Sequence, residues 1–142
     1  MIWLEPIFTA AAVLIADQVS KALVMSRTTS HKSVRVRPFV SIQHVVNRRG
    51  VLASFGGRTI LLAIWALSMT VAALVLHCGI LAAGTLGPIG IGAAVGGATG
   101  NLFDQLRRGA IVDFIAIGWW PVFNVADAAI ISGAGLALLS MR

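Results

Sequence analysis

Long apolar runs alternate with two polar stretches along this chain. Residues 2–24 are largely apolar as far as Ala16 and then carry Asp17, Gln18, Ser20 and Lys21. Asp17 and Lys21 are four residues apart, so a helix sets them on one face, near its end. A hydrocarbon core takes about 20 residues of helix, which puts this pair near one membrane surface and away from the midplane. Residues 26–58 are polar and basic, and within them Val34, Val36, Val40, Ile42 and Val46 alternate with Arg35, Arg37, Ser41 and Gln43. That alternation predicts strands with one apolar face, and Pro38 marks an edge or a split. The sheet they form is expected to lie on the membrane surface. Gly56-Gly57 breaks the chain before a second apolar run, Thr59–Leu76, and His77-Cys78-Gly79 reads as a tight turn. Ile80–Phe103 is a third run, rich in glycine and containing Pro88. Asp104–Pro121 reads as a second polar loop, with Trp119 and Trp120 suited to an interfacial belt. Pro121 is suited to opening a fourth run over 122–141.

The pattern predicts a single all-α integral membrane domain over residues 1–142. Its spans are about 2–24, 59–76, 80–103 and 122–141, with a small β-sheet in 26–58 between helices 1 and 2. Composition supports a bilayer as the solvent: of 142 residues 58% are hydrophobic and 11% charged, against about 25% charged in soluble domains. Mean hydropathy is +0.91. A chain in lipid must satisfy its backbone internally, and the long runs here lack the alternation of a barrel. The net charge is +6, and seven of the eleven Lys and Arg residues lie between Arg27 and Arg58. Clustered in one loop region, they suit anionic membrane lipids, and with no RNA-binding aromatic motif present, nucleic acid is excluded as a partner. A single cysteine, Cys78, allows no internal disulfide. No Lys or Arg precedes the first apolar run, so that run reads as a retained helix and not a secretory signal.

Four spans put both polar loops on the same side, where Asp17, Asn47, Asn101, Asp104, Asp113, Asn124 and Asp127 can converge. Two carboxylates brought together share a proton, so that one takes a proton from water while the other donates to a peptide carbonyl. Asp113 and Asp127 are the candidates for such a pair, with Asn101 and Asn124 to orient it. A plainer reading stands beside this one. Asp127 and Asp104 can be helix-end residues, since an Asp at a helix start complements the dipole by about 0.3–1 kcal/mol. Asp104 can pair with Arg108, and Asp17–Lys21 reads as a structural ion pair. Other sets fail. Adjacent Ser20 and Lys21 do not face each other on a helix, Cys78–His77 has no acidic companion, and His31, His44 and His77 give no metal spacing. The glycines of the third run lack the strand and Lys of a nucleotide loop and read as helix-packing positions.

Taken together, several stretches resemble the lipoprotein signal peptidases, or signal peptidase II. They are Asp17-Gln18-Val19-Ser20-Lys21, Asn47–Phe55, Gly96-Gly97-Ala98-Thr99-Gly100-Asn101 with Asp104, Val112-Asp113-Phe114, and Phe123-Asn124-Val125-Ala126-Asp127. They occur in the family's order across nearly the whole chain. The resemblance implies four transmembrane helices with an extracytoplasmic sheet, the cradle. It implies an aspartic endopeptidase, free of metal and cofactor, that removes the signal peptide from diacylglyceryl-modified prolipoproteins just before the lipidated Cys. By motif position Asp113 and Asp127 are its catalytic dyad. Asp17, Lys21, Asn47, Gly50, Asn101, Asp104, Gln105 and Asn124 are the supporting and substrate-binding positions. The implied partners are lipid-modified precursors, membrane lipids and globomycin-type peptide inhibitors.

Two departures stand out. The family usually carries Arg directly after the Asp of its GNxxD motif, where this chain has Gln105, and the Asn47–Phe55 segment is longer and more basic than the family's. They motivate an alternative, a weak or inactive paralogue that binds or resists globomycin-type antibiotics. Because the spans are polar at one end only, a transporter ranks below both. The count of Lys and Arg in short loops would by itself put the site in the cytoplasm. The resemblance implies the reverse, a plasma (inner) membrane protein with its active site on the extracytoplasmic face.

Overall fold

The computed structural model describes residues 3–27, 33–37, 40–47, 57–81 and 84–141. The elements run α1 (Leu4–Arg27), β1 (Ser33–Arg37), β2 (Val40–Asn47), α2 (Gly57–His77), α3 (Leu86–Arg108), β3 (Ile111–Ile117) and α4 (Val125–Leu139). Glu5 and Pro6 lie in the first turn of α1 and Arg27 in its last, residue types that suit those ends. α3 stops at Gly109, whose left-handed φ of 68° lets its N–H return to the Gln105 carbonyl.

α3 is the central helix because its sequence leaves it almost bare. On one side, a Cβ added at Gly92, Gly96 or Gly100 would lie 2.4 Å from the Pro6 carbonyl, 2.5 Å from the Ala10 carbonyl or 2.6 Å from Asp17 Oδ2. These glycines are four apart, so α1 lies directly against the α3 backbone along two turns. On another side, Gly97 would meet the Ala126 carbonyl at 2.4 Å, and Gly90 and Gly133 face each other's carbonyls at 2.6 and 2.5 Å. That seam seats α4. α2 joins through Val75 and Leu76, which pack with Ile91 and Ala137, and through Trp65, whose Nε1 donates to Thr99 Oγ1 at 3.0 Å.

The three strands form one antiparallel sheet in the order β1-β2-β3. This corrects the expected sheet, which drew its strands only from the segment between the first two helices. β3 comes from the stretch read as a polar loop after the third helix. Its burial pattern explains the misreading: Val112, Asp113 and Phe114 are consecutively buried, and a strand covered on both faces has no alternation. The third helix is also shifted, beginning at Leu86 instead of Ile80 and continuing through Asp104 to Arg108. The fourth begins at Val125, later than Pro121 suggested, because Phe123 still belongs to a sheet-like pairing in which its N–H donates to the Ile115 carbonyl at 3.0 Å.

Polar side chains are prominent in the interior. Among the described residues, the largest side chains that are fully buried are Lys21, Val112, Asn124, Asp17 and Asp104. Phe8, Ile15, Leu67, Ile131 and Leu139 lie exposed, and Trp119 is 88% exposed at the β3–α4 turn. α1 and α2 are long and apolar enough to cross a membrane. α4 is apolar but shorter, with 15 residues.

Candidate active site

The site forms where three chain segments end together. α3 delivers Asn101 and Asp104 from its last two turns. After Gly109 the chain enters β3, which pairs with β2 so that Asp113 lies opposite Val45 and Ile111 opposite Asn47. A turn at Gly118–Trp120, with Gly118 at φ 52°, folds the chain back on β3. Phe114 and Ile115 N–H groups both donate to the Phe123 carbonyl, at 3.0 and 2.8 Å. This reversal brings Asn124, eleven residues on, beside Asp113.

Asn124 then performs two tasks. It is the N-cap of α4: its Oδ1 accepts from the Asp127 N–H at 2.9 Å, while Asp127 Oδ2 accepts from the Asn124 N–H at 3.2 Å. This reciprocal capping box satisfies amides that the helix start would otherwise leave open. The plain helix-start reading of Asp127 therefore holds, but it is incomplete. Asp127 Oδ1 also accepts from Asn101 Nδ2 at 2.8 Å. With its oxygen spent on the cap, Asn124 aims its Nδ2 at Asp113 Oδ1 (2.9 Å), Asn101 Oδ1 (3.1 Å) and the Val112 carbonyl (3.3 Å). Two asparagines thus link the two carboxylates, Asp113 to Asn124 to Asn101 to Asp127.

A second cluster supports this chain from behind. Lys21 Nζ donates to Asp17 Oδ2 at 2.7 Å and to Asn101 Oδ1 at 3.2 Å, and it pairs with Asp104 Oδ2 at 2.7 Å. Asp17, Lys21 and Asp104 are 0% exposed, and buried ions persist only when paired and hydrogen-bonded. Asp17 Oδ1 accepts from the Ala126 N–H at 3.0 Å, so α1 supplies a carboxylate to the positive end of α4. Asp104 Oδ2 also accepts from the Val112 N–H at 3.4 Å, one residue before Asp113. The expected ion pairs Asp17–Lys21 and Asp104–Arg108 both form.

Most of the residues singled out from the sequence are brought together: Asp17, Lys21, Asn101, Asp104, Asp113, Asn124 and Asp127 share one hydrogen-bonded network. Gln105 does not join it; its Nε2 donates to the Gly109 carbonyl at 3.4 Å. Asn47 contributes backbone to β2, its side chain lies outside the described positions, and Gly50 lies outside the described residues. Sequence reasoning missed Gln18, whose Nε2 donates to Asp17 Oδ2 (3.1 Å), the Gly100 carbonyl (3.3 Å) and Asp104 Oδ1 (3.2 Å). An amide set between Asp17 and Lys21 at the end of an apolar helix was the available signal. Arg107 sits over the Phe103 ring at 5.9 Å, whereas Arg108 reaches both Asp104, as its spacing suggested, and Gln18. No group of side chains suited to a metal ion is present among the described residues.

The sequence profile of the family described as signal peptidase (SPase) II matches residues 9–142. The chain belongs to the signal peptidase II family. A lipoprotein signal peptidase of Syntrophomonas wolfei is 37% identical over 128 residues, covering 89% of this chain and 85% of that protein. One from Halothermothrix orenii is 30% identical over 128 residues, covering 89% and 88%. A solved bacterial membrane enzyme superposes with a TM-score of 0.80 at 27% identity, covering 94% of this chain and 85% of that one. Membership of the signal peptidase II family supports a protease that processes prolipoproteins, and the structural relative is a membrane enzyme.

Proposed function

We propose that this chain is an aspartic endopeptidase that cleaves the signal peptide from diacylglyceryl-modified prolipoproteins, immediately before the lipidated Cys. The observation that carries the reading is the asparagine-linked pair: Asp113 from β3 and Asp127 from α4, tied through Asn124 and Asn101, in a chain of the signal peptidase II family. In this reading one carboxylate takes a proton from water as the water oxygen adds to the scissile carbonyl, and the other protonates the carbonyl oxygen. Collapse of the resulting diol breaks the C–N bond, and a proton passes to the amine of the lipidated Cys. No cofactor enters the reaction. Asn101 and Asn124 hold the geometry by hydrogen bonds from neutral amides, which orient both carboxylates without fixing where the shared proton resides.

The apolar exterior and the polar cluster at one end of the helices support four membrane spans, with the sheet against one surface of a plasma membrane. We place that surface on the extracytoplasmic side, where lipidated precursors are processed, and both termini in the cytoplasm. Membrane lipids then cover the outer helix faces, and globomycin-type peptides compete at the same site. The decisive experiment is cleavage of a purified diacylglyceryl-modified precursor. Asp113→Asn and Asp127→Asn should each abolish product while the protein keeps its elution position in detergent. Retained activity in either variant refutes the dyad. An intact protein that binds a globomycin-type peptide but never cleaves would favour the inactive-paralogue alternative. A reporter fused after Arg142 that reads extracytoplasmic would overturn the orientation.

A further inference from the structure

The buried cluster behind the proposed dyad closes its charge balance with a residue that family resemblance does not mark. Asp17, Lys21 and Asp104 alone sum to −1, in a site with 0% exposure at all three. The compensating charge is Arg108, one helical turn beyond Asp104, whose side chain is 22% exposed. Its Nη1 donates to Asp104 Oδ1, and also to Gln18 Oε1 at 3.4 Å. Gln18 returns a hydrogen bond to the same carboxylate oxygen. Asp104 Oδ1 is thus held by Arg108 and Gln18, which leaves Oδ2 for Lys21 and the Val112 N–H. Val112 precedes Asp113, and its carbonyl accepts from Asn124.

We propose that Arg108 is a positioning residue of the peptidase site: it neutralises Asp104 so that Asp104 fixes the β3 backbone at Val112 and, through Lys21 and Asn101, the Asp127 carboxylate. The position directly after Asp104 is Gln105, which is spent on the helix end at Gly109. Among the described residues, the guanidinium on Asp104 is that of Arg108. The alternative source of neutralisation, Arg107, is exposed and sits over the Phe103 ring at 5.9 Å. Among the described residues, the charged groups around the cluster are Asp17 and Lys21 from α1, Asp104 and Arg108 from α3, Asp113 from β3 and Asp127 from α4. Losing Arg108 leaves Asp17, Lys21 and Asp104 with a net charge of −1 behind the proposed dyad.

The inference rests on the peptidase reading, and the test separates the two. Cleavage of the lipidated precursor is measured for the wild-type protein and for Arg108→Gln, Arg108→Lys, Asp104→Asn and the double variant Asp104→Asn/Arg108→Gln. Detergent elution serves as the folding control. Arg108→Gln is expected to lower kcat about tenfold or more, as for a buried charge left short of a partner, with KM unchanged because Arg108 does not hold substrate. Arg108→Lys keeps the charge and should recover most of the loss. The double variant returns the cluster to neutrality, since Asp17 and Lys21 remain, and should be more active than Arg108→Gln alone. An Arg108→Gln enzyme with wild-type kcat overturns the inference and leaves the peptidase reading intact. So does a double variant whose loss is the product of the two single losses, or an Arg108→Lys variant no better than Arg108→Gln. A folded wild-type protein that does not cleave overturns the peptidase reading and the inference with it.

Discussion

Lys21→Met removes the ammonium between Asp17 and Asp104 while keeping an unbranched apolar stem of similar length. Lys21 Nζ lies 2.7 Å from an oxygen of each carboxylate. At an effective dielectric of about 20 each attraction is worth about 6 kcal/mol before desolvation is subtracted. Removing one member of a buried ion pair costs about 3–5 kcal/mol, because the partner stays behind uncompensated. Arg108 still neutralises Asp104, so Asp17 is the group orphaned, and it retains bonds from Gln18 and the Ala126 N–H. The loss should therefore fall near the lower end of that range, about 3 kcal/mol, a large share of the roughly 5–15 kcal/mol that holds a domain folded. The assay is denaturant titration in detergent, following loss of tertiary structure. The companion variant Asp17→Asn/Lys21→Met removes both charges, and its amide oxygen can still accept from Ala126. It should be about 2 kcal/mol more stable than Lys21→Met alone, since no unpaired ion remains. A single-variant loss below about 1 kcal/mol, or a double variant whose loss equals the sum of the two single losses, would refute the argument that Lys21 is held by charge compensation.

Two further substitutions separate roles that the structure combines. Asn124→Ser keeps an oxygen that can cap α4 but deletes the amide that links Asp113 to Asn101. Serine caps nearly as well as asparagine, so the unfolding midpoint should move little while cleavage falls at least about tenfold. Asn124→Ala loses both functions, with a further stability loss of about 0.5–2 kcal/mol from the cap. A fully active Asn124→Ser enzyme would remove the asparagine link from the mechanism. Gly100→Ala places a methyl 2.6 Å from Asp17 Oδ2 and should lower stability by about 1–3 kcal/mol through overpacking. Since the obstructed group is a fixed ion partner, activity should drop with it; unchanged unfolding and turnover would show that α1 can move away freely.

The alternation of Val34, Val36, Val40 and Ile42 with polar neighbours made the first two strands legible, because a period of two is the spacing of a strand. The same rule hid β3. Ile111–Ile117 is buried on both sides at Val112–Phe114, so it presents an apolar run that periodicity alone assigns to no element. The helix bounds drifted for a related reason. Hydropathy counts Ile80 and Leu81 with the third helix, although the turn at Cys78–Gly79 and the later start at Leu86 separate them. Span counting was enough to gather Asp17, Asn101, Asp104, Asn124 and Asp127 at one end of the helices, since that depends on direction alone. It could not supply the Gly118–Trp120 reversal that brings Asp113 to Asn124. The Asp104–Arg108 pair was legible from its i, i+4 spacing, but the contact of Arg108 with Gln18, on another helix, was not.

The bare surface of α3 has a consequence for the site's dimensions. With glycines against both neighbours, α1 and α4 approach to the thickness of a naked backbone, whose Cα atoms lie about 2.3 Å from the helix axis. Side chains can change rotamer to let neighbours part or settle; a main chain cannot. The spacing between Asp17 on one flank and the Ala126–Asp127 turn on the other is thereby gauged by peptide geometry, a ruler that thermal motion hardly stretches. For the proposed substrate, a bulky lipidated segment, access then comes from the sides this ruler does not span, the α2 flank or the sheet. Substitutions that add even one methyl to either seam of α3 would reset the gauge for every group attached to it.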